Sequence, residues 1–206
     1  MNRKTEDEMK DKMLDLFQSK LDLVPEIKSI DRLGGMTNFN YKVETSDGDF
    51  VVRYPGVGTE DLIDRKDEFE FTQVSNKLGI DAHNYYFDPL TGIKISKFIP
   101  NAITFNPEIT REKDNLEKVA KIFQELHHSD QRVESVFNVF EKIKEYEDLI
   151  NSTSKNQYWD DYAQVREQIY ALKEEYESYN VELTFCHNDP LCENFVLGED
   201  RLFLVD

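Results

Sequence analysis

The feature that most constrains this fold is a change in hydrophobic pattern near residue 100. Before Pro100, short apolar segments with strand character are interrupted by turns and two helix-like stretches. After Asn101, apolar residues recur mainly at helical spacing. A run of strands followed by a run of helices is typical of α+β proteins. We therefore predict an α+β protein of two lobes, residues 1–100 and 101–206.

The first lobe is predicted to contain two helices and five strands. One helix covers residues 5–21, and a second begins at capping signals in residues 59–61 and ends at Leu78, before Gly79. An Asp-Gly step at residues 47–48 suits a tight hairpin. The predicted strands are Ile27–Leu33, Phe39–Thr45, Asp49–Tyr54, His83–Phe87 and Ile93–Ile99. We expect these strands to form a five-stranded antiparallel sheet.

The second lobe is predicted to be mainly helical. Apolar residues with helical spacing lie in three segments, which are 116–126, 136–150 and 157–179. We expect each helix to bury its apolar face, and we expect aromatic residues such as Trp159 and Tyr162 to belong to the core. A hairpin follows, with strands Phe195–Leu197 and Leu202–Val205 around a Gly-Glu-Asp turn.

The charge of the chain disfavours some functions. The formal net charge is -17, which opposes binding to the phosphate backbone, so we expect no nucleic-acid partner. An acidic surface favours a small cationic ligand, but it is also what an ordinary soluble protein carries. Charge alone therefore names no substrate.

The spacing of the cysteines and the hydropathy of the chain indicate the cellular compartment of the protein. Cys186 and Cys192 lack the short paired spacing of zinc or redox motifs, so we expect reduced thiols. The N-terminal residues contain no apolar signal core, and no apolar run reaches the roughly 18 residues of a membrane span. We expect a cytoplasmic protein with no membrane span.

The most informative stretch lies between residues 187 and 206. It has the form H-x-D-x-x-x-x-N, followed by strand, turn, strand and Asp. Phosphoryl transfer needs a carboxylate that accepts a hydroxyl proton and oxygen ligands for magnesium. Asp189, Asn194 and Asp206 supply such groups, and the loop and hairpin would bring them together. Individually they are ordinary loop residues, and His187 could bond its own turn, but the whole pattern favours function.

A second informative segment is Leu33–Tyr41, which places glycines and small polar residues between two strands. Exposed backbone N–H groups in such a segment can approach phosphates. A hairpin turn needs glycines as well, so these residues alone leave both interpretations open.

These motifs resemble those of the protein-kinase-like small-molecule kinases, the group of choline kinases and aminoglycoside phosphotransferases. The resemblance is closest to bacterial-type choline kinases and covers nearly the whole chain. It implies a protein-kinase-like two-lobe fold in which Asp189 is the catalytic base and Asn194 and Asp206 bind Mg²⁺. It also implies that His187 braces the catalytic loop and does not touch substrate.

The resemblance also assigns a nucleotide site. Arg53 stands where protein kinases have the phosphate-binding lysine, and a guanidinium can clamp phosphate oxygens through two hydrogen bonds. An isolated Arg53 would instead be an exposed strand residue. Glu68 is expected to pair with Arg53, and Glu70 remains an alternative. The ATP-binding residues implied are Gly34, Gly35, Thr37, Asn38, Arg53, Glu68, Lys97 and Ile99, the last two beside the adenine edge.

The implied reaction is ATP- and Mg²⁺-dependent phosphorylation of choline or a related amino alcohol. Ammonium groups are recognised by aromatic faces and acidic residues, and Tyr158, Trp159 and Tyr162 are candidates, although their helical spacing indicates packing. The Arg53 strand and residues 64–66 favour choline over the alternative of an aminoglycoside or another small molecule. A non-catalytic nucleotide-binding fragment is a further alternative. The resemblance motivates it, because the family continues with further helices where this sequence stops, so we expect a truncated second lobe.

Overall fold

The computed structural model describes residues 3–34, 38–56, 58, 63–152 and 158–205. The chain forms two compact units, the first made of residues 1–131 and 186–206 and the second of residues 132–185. The predicted lobe boundary at residue 100 remains a prediction. No helix in the described ranges is long and apolar enough to cross a bilayer.

The described elements follow the predicted order, except for one short strand and one short helix between residues 103 and 110, which were not predicted, and a division of the last predicted helix. The helices of the first unit are α1 (Arg3–Leu21), α2 (Arg65–Leu78), α3 (Pro107–Thr110) and α4 (Lys113–His127). Its strands are β1 (Ile27–Arg32), β2 (Asn38–Thr45), β3 (Gly48–Pro55), β4 (Asn84–Phe87), β5 (Lys94–Lys97), β6 (Ile103–Thr104), β7 (Phe195–Leu197) and β8 (Leu202–Leu204). The second unit contains α5 (Val139–Ser152), α6 (Tyr162–Ala171) and α7 (Lys173–Ser178).

Five strands form one antiparallel sheet in the order β1-β2-β3-β5-β4, which confirms the predicted sheet. The predicted hairpin joins β2 to β3. Its turn is fixed by the Thr45 hydroxyl, which donates to the Gly48 carbonyl oxygen at 2.7 Å and accepts from the Asp47 amide at 3.1 Å. Strand β3 lies between β2 and β5, with Arg53 directly opposite Lys94. A residue on β3 is therefore held from both sides.

Helix α1 covers one face of this sheet. Met13 and Phe17 are four residues apart, so they lie on the same side of the helix. Both are fully buried, and they form a core with Val43, Phe50, Val52 and Ile95. Burying a side chain of this size contributes about 1.5–3 kcal/mol relative to leaving it exposed. The sheet that positions β3 is thereby anchored.

Helix α2 begins later than the sequence predicts. It starts at Arg65, and the carboxylate of Asp64 caps it by accepting hydrogen bonds from two amides of the first turn. The predicted capping residues 59–61 lie outside the described residues. The helix ends at Leu78, as predicted, because Gly79 adopts the left-handed conformation with φ 68°.

A second, three-stranded antiparallel sheet has the order β6-β7-β8. The predicted hairpin forms β7 and β8, and β6 was missed because two residues carry too little periodic pattern to be recognised. The sheet is joined to the corner after α2 by a hydrogen bond from the Leu204 amide to the Ile80 carbonyl oxygen at 2.9 Å.

The second unit corrects two predictions. The helix predicted over 157–179 is divided at Leu172 into α6 and α7. Its apolar residues do not form a core, and Trp159 is 86% exposed. Phe140 on α5 is the one buried side chain in the described part of this unit. Three short helices supply no second layer against which an apolar face could pack, so helical spacing did not lead to burial.

Candidate active site

The loop before β7 brings Asp189 and Asn194 together. The Asn194 side-chain amide nitrogen donates to the Asp189 carbonyl oxygen at 3.0 Å and lies 3.4 Å from Asp189 Oδ2. Asn188 has a φ of 65°, a left-handed conformation that asparagine adopts more readily than most residues. Residues 192–194 form a 3₁₀ turn. The loop thus closes on itself and juxtaposes two of the three predicted oxygen groups.

The β7–β8 hairpin carries the chain back towards Asn194. The Val205 amide donates to the Asn194 carbonyl oxygen at 2.9 Å. Asp206 lies outside the described residues, so its proposed convergence with Asp189 and Asn194 stays a prediction. In the part of the chain that the structure describes, no three His, Cys, Asp or Glu side chains form a metal-type cluster.

The donor chemistry of this loop fits a hard divalent cation. The nitrogen of the Asn194 side chain is engaged by Asp189, whereas its Oδ1 has no hydrogen-bond partner among the described residues. The Asp189 side chain is exposed. Carboxylate and amide oxygens are the ligands that Mg²⁺ accepts, so Asn194 and the predicted Asp206 form a suitable donor set.

His187 is only partly exposed, and both of its ring nitrogens are buried. Neither nitrogen has a hydrogen-bond partner among the described residues. Buried polar groups are normally paired, because leaving one unpaired costs about 1–3 kcal/mol. A hydrogen bond from His187 to its own turn is therefore not seen in the described chain, and the implied bracing of the loop by His187 stays a prediction.

Arg53 is 7% exposed on the central strand β3, which excludes an ordinary exposed strand arginine. Its Nη1 lies 2.5 Å from Glu68 Oε1, and its Nη2 donates to the Gly92 carbonyl oxygen at 3.1 Å. The guanidinium also lies 5.5 Å from the centroid of the Phe87 ring. The structure places Glu68 against Arg53, as the family resemblance implied, and not the alternative Glu70.

The glycine-containing segment is described only in part. Gly34 is exposed, and its carbonyl oxygen accepts from the Asn40 side chain at 3.2 Å. Asn38 Oδ1 is buried without a partner in the described ranges. Gly35 and Thr37 lie outside the described residues, so their proposed approach to phosphates stays a prediction.

The end of β5 and the residues after it include one backbone N–H group that could donate to a ligand. The Lys97 amide donates to the His83 carbonyl oxygen at 2.8 Å, and the Phe98 amide donates to Asp49 at 3.1 Å. The Ile99 amide has no backbone partner within the described chain. Because an adenine edge needs an unoccupied donor, Ile99 suits the predicted role better than Lys97, whose side chain is exposed.

Two open cavities lie along the β7–β8 turn, with volumes of about 340 and 450 Å³. Both are lined by Asp200 and Arg201, and the second also by Lys97 and Ile99. Arg53, Asp189 and Asn194 line neither cavity. Gly35, Thr37 and Asp206 lie outside the described residues, so the side-chain contacts of Arg53, Asp189 and Asn194 define the candidate site.

The three aromatic candidates for ammonium binding belong to the second unit, and two of them, Tyr158 and Tyr162, pack there. The rings of Tyr158 and Tyr162 stack with centroids 4.5 Å apart. Tyr162 donates to Glu147 on α5 at 2.9 Å, and Arg166 binds the same carboxylate. The hydrogen bond from Arg166, supported by that from Tyr162, lowers the pKa of Glu147. These contacts connect α6 to α5, while Trp159 takes no part in them.

The sequence analysis missed two residues of this site. Arg65 Nη1 lies 2.6 Å from Glu68 Oε2, and Gly92 accepts the hydrogen bond from Arg53. The spacing of Arg65 and Glu68, three residues apart on one helix, was a usable signal. Nothing in the local sequence connects Gly92 to Arg53, because 39 residues separate them.

The sequence model of the choline/ethanolamine kinase family matches residues 30–206. Protein LicA of Haemophilus influenzae is 28% identical over 176 residues, which cover 84% of this chain and 51% of that protein. This chain therefore spans about half of that relative's length.

Two solved structures are also similar. The choline kinase LicA from Streptococcus pneumoniae has 35% sequence identity and a TM-score of 0.82, with 97% of this chain and 68% of that chain covered. A structure of LicA in complex with AMP has 34% sequence identity and a TM-score of 0.79, and the match covers 95% of this chain and 67% of that chain.

Proposed function

Because the chain belongs to the choline/ethanolamine kinase family, we propose that it transfers the γ-phosphoryl group of ATP to the hydroxyl group of choline or a related amino alcohol. The observation that carries this proposal is the contact between Asn194 and Asp189, which unites a candidate base with a candidate metal ligand. The hairpin that follows leads directly to Asp206.

Asp189 is proposed to orient the substrate hydroxyl and accept its proton. The substrate oxygen then forms a bond to the γ-phosphorus while the bond from that phosphorus to the bridging oxygen breaks, leaving ADP. The carboxylate suits this task because it is exposed, and the long contact from Asn194 fixes only one of its oxygens. The backbone carbonyl of Asp189, held at 3.0 Å by the same amide, restrains the loop.

Mg²⁺, when bound, offsets the negative charge that develops on the triphosphate. Asn194, through its amide oxygen, and Asp206, through its carboxylate, are the residues proposed to hold it. His187 is proposed to stabilise the loop that carries Asp189. Each of these roles follows from the family and from the donor chemistry of the side chains.

The nucleotide is proposed to lie between the sheet and this loop. Arg53 would clamp phosphate oxygens, with Glu68 holding its guanidinium. The backbone from Gly34 to Asn38, including Gly35 and Thr37, would approach the phosphates, and the segment from Lys97 to Ile99 would meet the adenine edge. The solved LicA structure that contains AMP supports nucleotide binding as a property of the family.

Choline is proposed as the acceptor because the family is described as choline/ethanolamine kinase and the similar solved structure from Streptococcus pneumoniae is that of a choline kinase. The formal net charge of -17 favours attraction of a cation to the protein. A cytoplasmic location, where ATP is available and Cys186 and Cys192 stay reduced, belongs to the same proposal.

A coupled assay that detects ADP, with choline, ethanolamine and kanamycin supplied in parallel, tests this function. We expect turnover with choline, and we expect Asp189→Asn to reduce kcat by about 100- to 10,000-fold while Mg-ATP binding persists. Asp15→Asn is the matched control, because Asp15 is exposed on α1 and lies in none of the proposed binding segments. Full turnover by Asp189→Asn would exclude Asp189 as the catalytic base. Phosphorylation of kanamycin without turnover of choline would show that the substrate is an aminoglycoside. Binding of Mg-ATP without any product would identify a nucleotide-binding module.

A further inference from the structure

A closed ring of contacts fixes the guanidinium of Arg53. Glu68 accepts Arg53 Nη1 on Oε1 at 2.5 Å and Arg65 Nη1 on Oε2 at 2.6 Å. Gly92 completes the ring, since its carbonyl oxygen accepts from Arg53 Nη2 at 3.1 Å. The Arg65 guanidinium packs on the same glycine so closely that a β-carbon there would lie 2.9 Å from Arg65 Nε.

The ring is largely removed from water. The side chains of Arg53, Arg65 and Glu68 are 9%, 11% and 20% exposed. Two guanidinium groups contact one carboxylate in this ring. At this burial, screening by water is weak, so the charges of the ring act on one another more strongly than they would at the surface.

The occupation of Glu68 Oε2 by Arg65 limits the pairing of Arg53. A carboxylate and a guanidinium prefer a bidentate arrangement with two parallel hydrogen bonds. In this structure the second oxygen of Glu68 is contacted by Arg65 Nη1 and not by a second nitrogen of Arg53. Glu68 therefore holds Arg53 through one nitrogen, and Arg53 Nε has no partner among the described residues.

We propose that Arg65 is a positioning residue for Arg53, which it keeps available to the triphosphate of ATP by holding Glu68 Oε2 and packing on Gly92. This proposal rests on the proposed function, since it takes Arg53 to bind nucleotide phosphates. Arg65 acts through Glu68 and Gly92, so the proposal gives it no contact with the nucleotide.

The test compares a nucleotide that has phosphates with a nucleoside that has none. Calorimetric titration of the full chain gives the Kd of Mg-ATP, and competition gives the Kd of adenosine. We expect Arg65→Met to weaken Mg-ATP binding by about tenfold and to change adenosine binding by less than about twofold. A residue that merely stabilised the fold would change both affinities alike.

Two further variants sharpen the result. Lys66→Met removes the same charge from the next position of α2, where the side chain is exposed, and we expect it to leave both affinities within about twofold of the parent. Arg65→Lys keeps the positive charge and one donor group for Glu68, so we expect the affinity for Mg-ATP to fall by about threefold and the affinity for adenosine to stay unchanged. If Arg65→Met does not fold, the comparison of the two affinities is made with Arg65→Lys.

The outcomes separate this inference from the proposed function. Suppose that the parent chain binds Mg-ATP. If both Arg65 variants keep the parent's affinity for Mg-ATP, or lose affinity for Mg-ATP and for adenosine to the same degree, the positioning role is wrong and the kinase proposal stands. If the parent chain binds no Mg-ATP, the proposed function fails and the inference fails with it. A selective loss for Mg-ATP supports the inference.

Discussion

The two compact units bury their apolar side chains to different extents. In the first unit, α1 and the five-stranded sheet enclose Met13 and Phe17 completely. In residues 132–185, Phe140 is buried, whereas most of the exposed large apolar side chains of the described chain lie here, Trp159 and Leu172 among them. Helical spacing of apolar residues therefore predicts a helix, but burial also requires a second layer of structure.

The largest expected effect is in the closed core of the first unit. Phe17→Ala removes a fully buried ring that contacts Phe50, so we expect the free energy of unfolding to fall by about 3–5 kcal/mol. Phe137→Ala makes the same chemical change at a side chain that is 58% exposed in the second unit, and it should cost less than about 0.5 kcal/mol. Urea unfolding followed by circular dichroism measures both, and equal losses would remove the contrast between the units.

The next effect concerns the buried residue of the second unit. Phe140 contacts Tyr170 and Tyr176, with ring centroids 5.7 and 5.8 Å apart, so Phe140→Ala should destabilise α5 to α7 by about 3 kcal/mol. Hydrogen exchange should accelerate in residues 139–178 and stay unchanged in β2 and β3. Faster exchange in those strands as well would show that the two units unfold together.

A smaller, pH-dependent effect is expected at Glu147. Its pKa lies below the ordinary glutamate value because Arg166 and Tyr162 donate to it. A lowered pKa in the folded state stabilises the fold fully above the unfolded value of about 4.3 and loses that stabilisation as the pH falls through the folded value. Glu147→Gln should remove this part of the acid sensitivity, measured by thermal unfolding between pH 7 and pH 3. Glu141→Gln on the exposed face of α5 is the control, and an identical pH profile in both variants would contradict the assignment.

The smallest effect is expected at Trp159. Because its side chain is 86% exposed, Trp159→Ser should change the unfolding free energy by no more than about 0.5 kcal/mol. Calorimetric melting of the parent and variant chains checks this. A loss comparable to that of Phe140→Ala would show that Trp159 is packed in solution, and would restore the predicted core of the second unit.

Most of the fold was predictable because its signals are local. The period of the apolar residues, the Asp47–Gly48 turn and the terminating Gly79 each act within a few residues of their own position. The errors arose where local signals compete or are short. Asp64 caps α2 in place of the earlier residues, and two residues of β6 carry no recognisable period.

The candidate site was predictable to the extent that its residues share one loop or one motif. The spacing of Asp189 and Asn194 reflects a turn that closes on itself, so sequence alone placed them together. Gly92 was not predictable, because its link to Arg53 depends on the pairing of β3 with β5. Residues that meet only through tertiary structure leave no pattern along the chain.

The hydrogen bond between the Leu204 amide and the Ile80 carbonyl oxygen has a mechanical consequence. Ile80 follows the helix that carries Glu68, and Leu204 stands two positions before Asp206. A rigid-body displacement of that helix would pull on this strand end as well. The ion pair between Glu68 and Arg53 and the strand that precedes the predicted magnesium ligand would therefore move together, which would couple the proposed phosphate and metal sites mechanically.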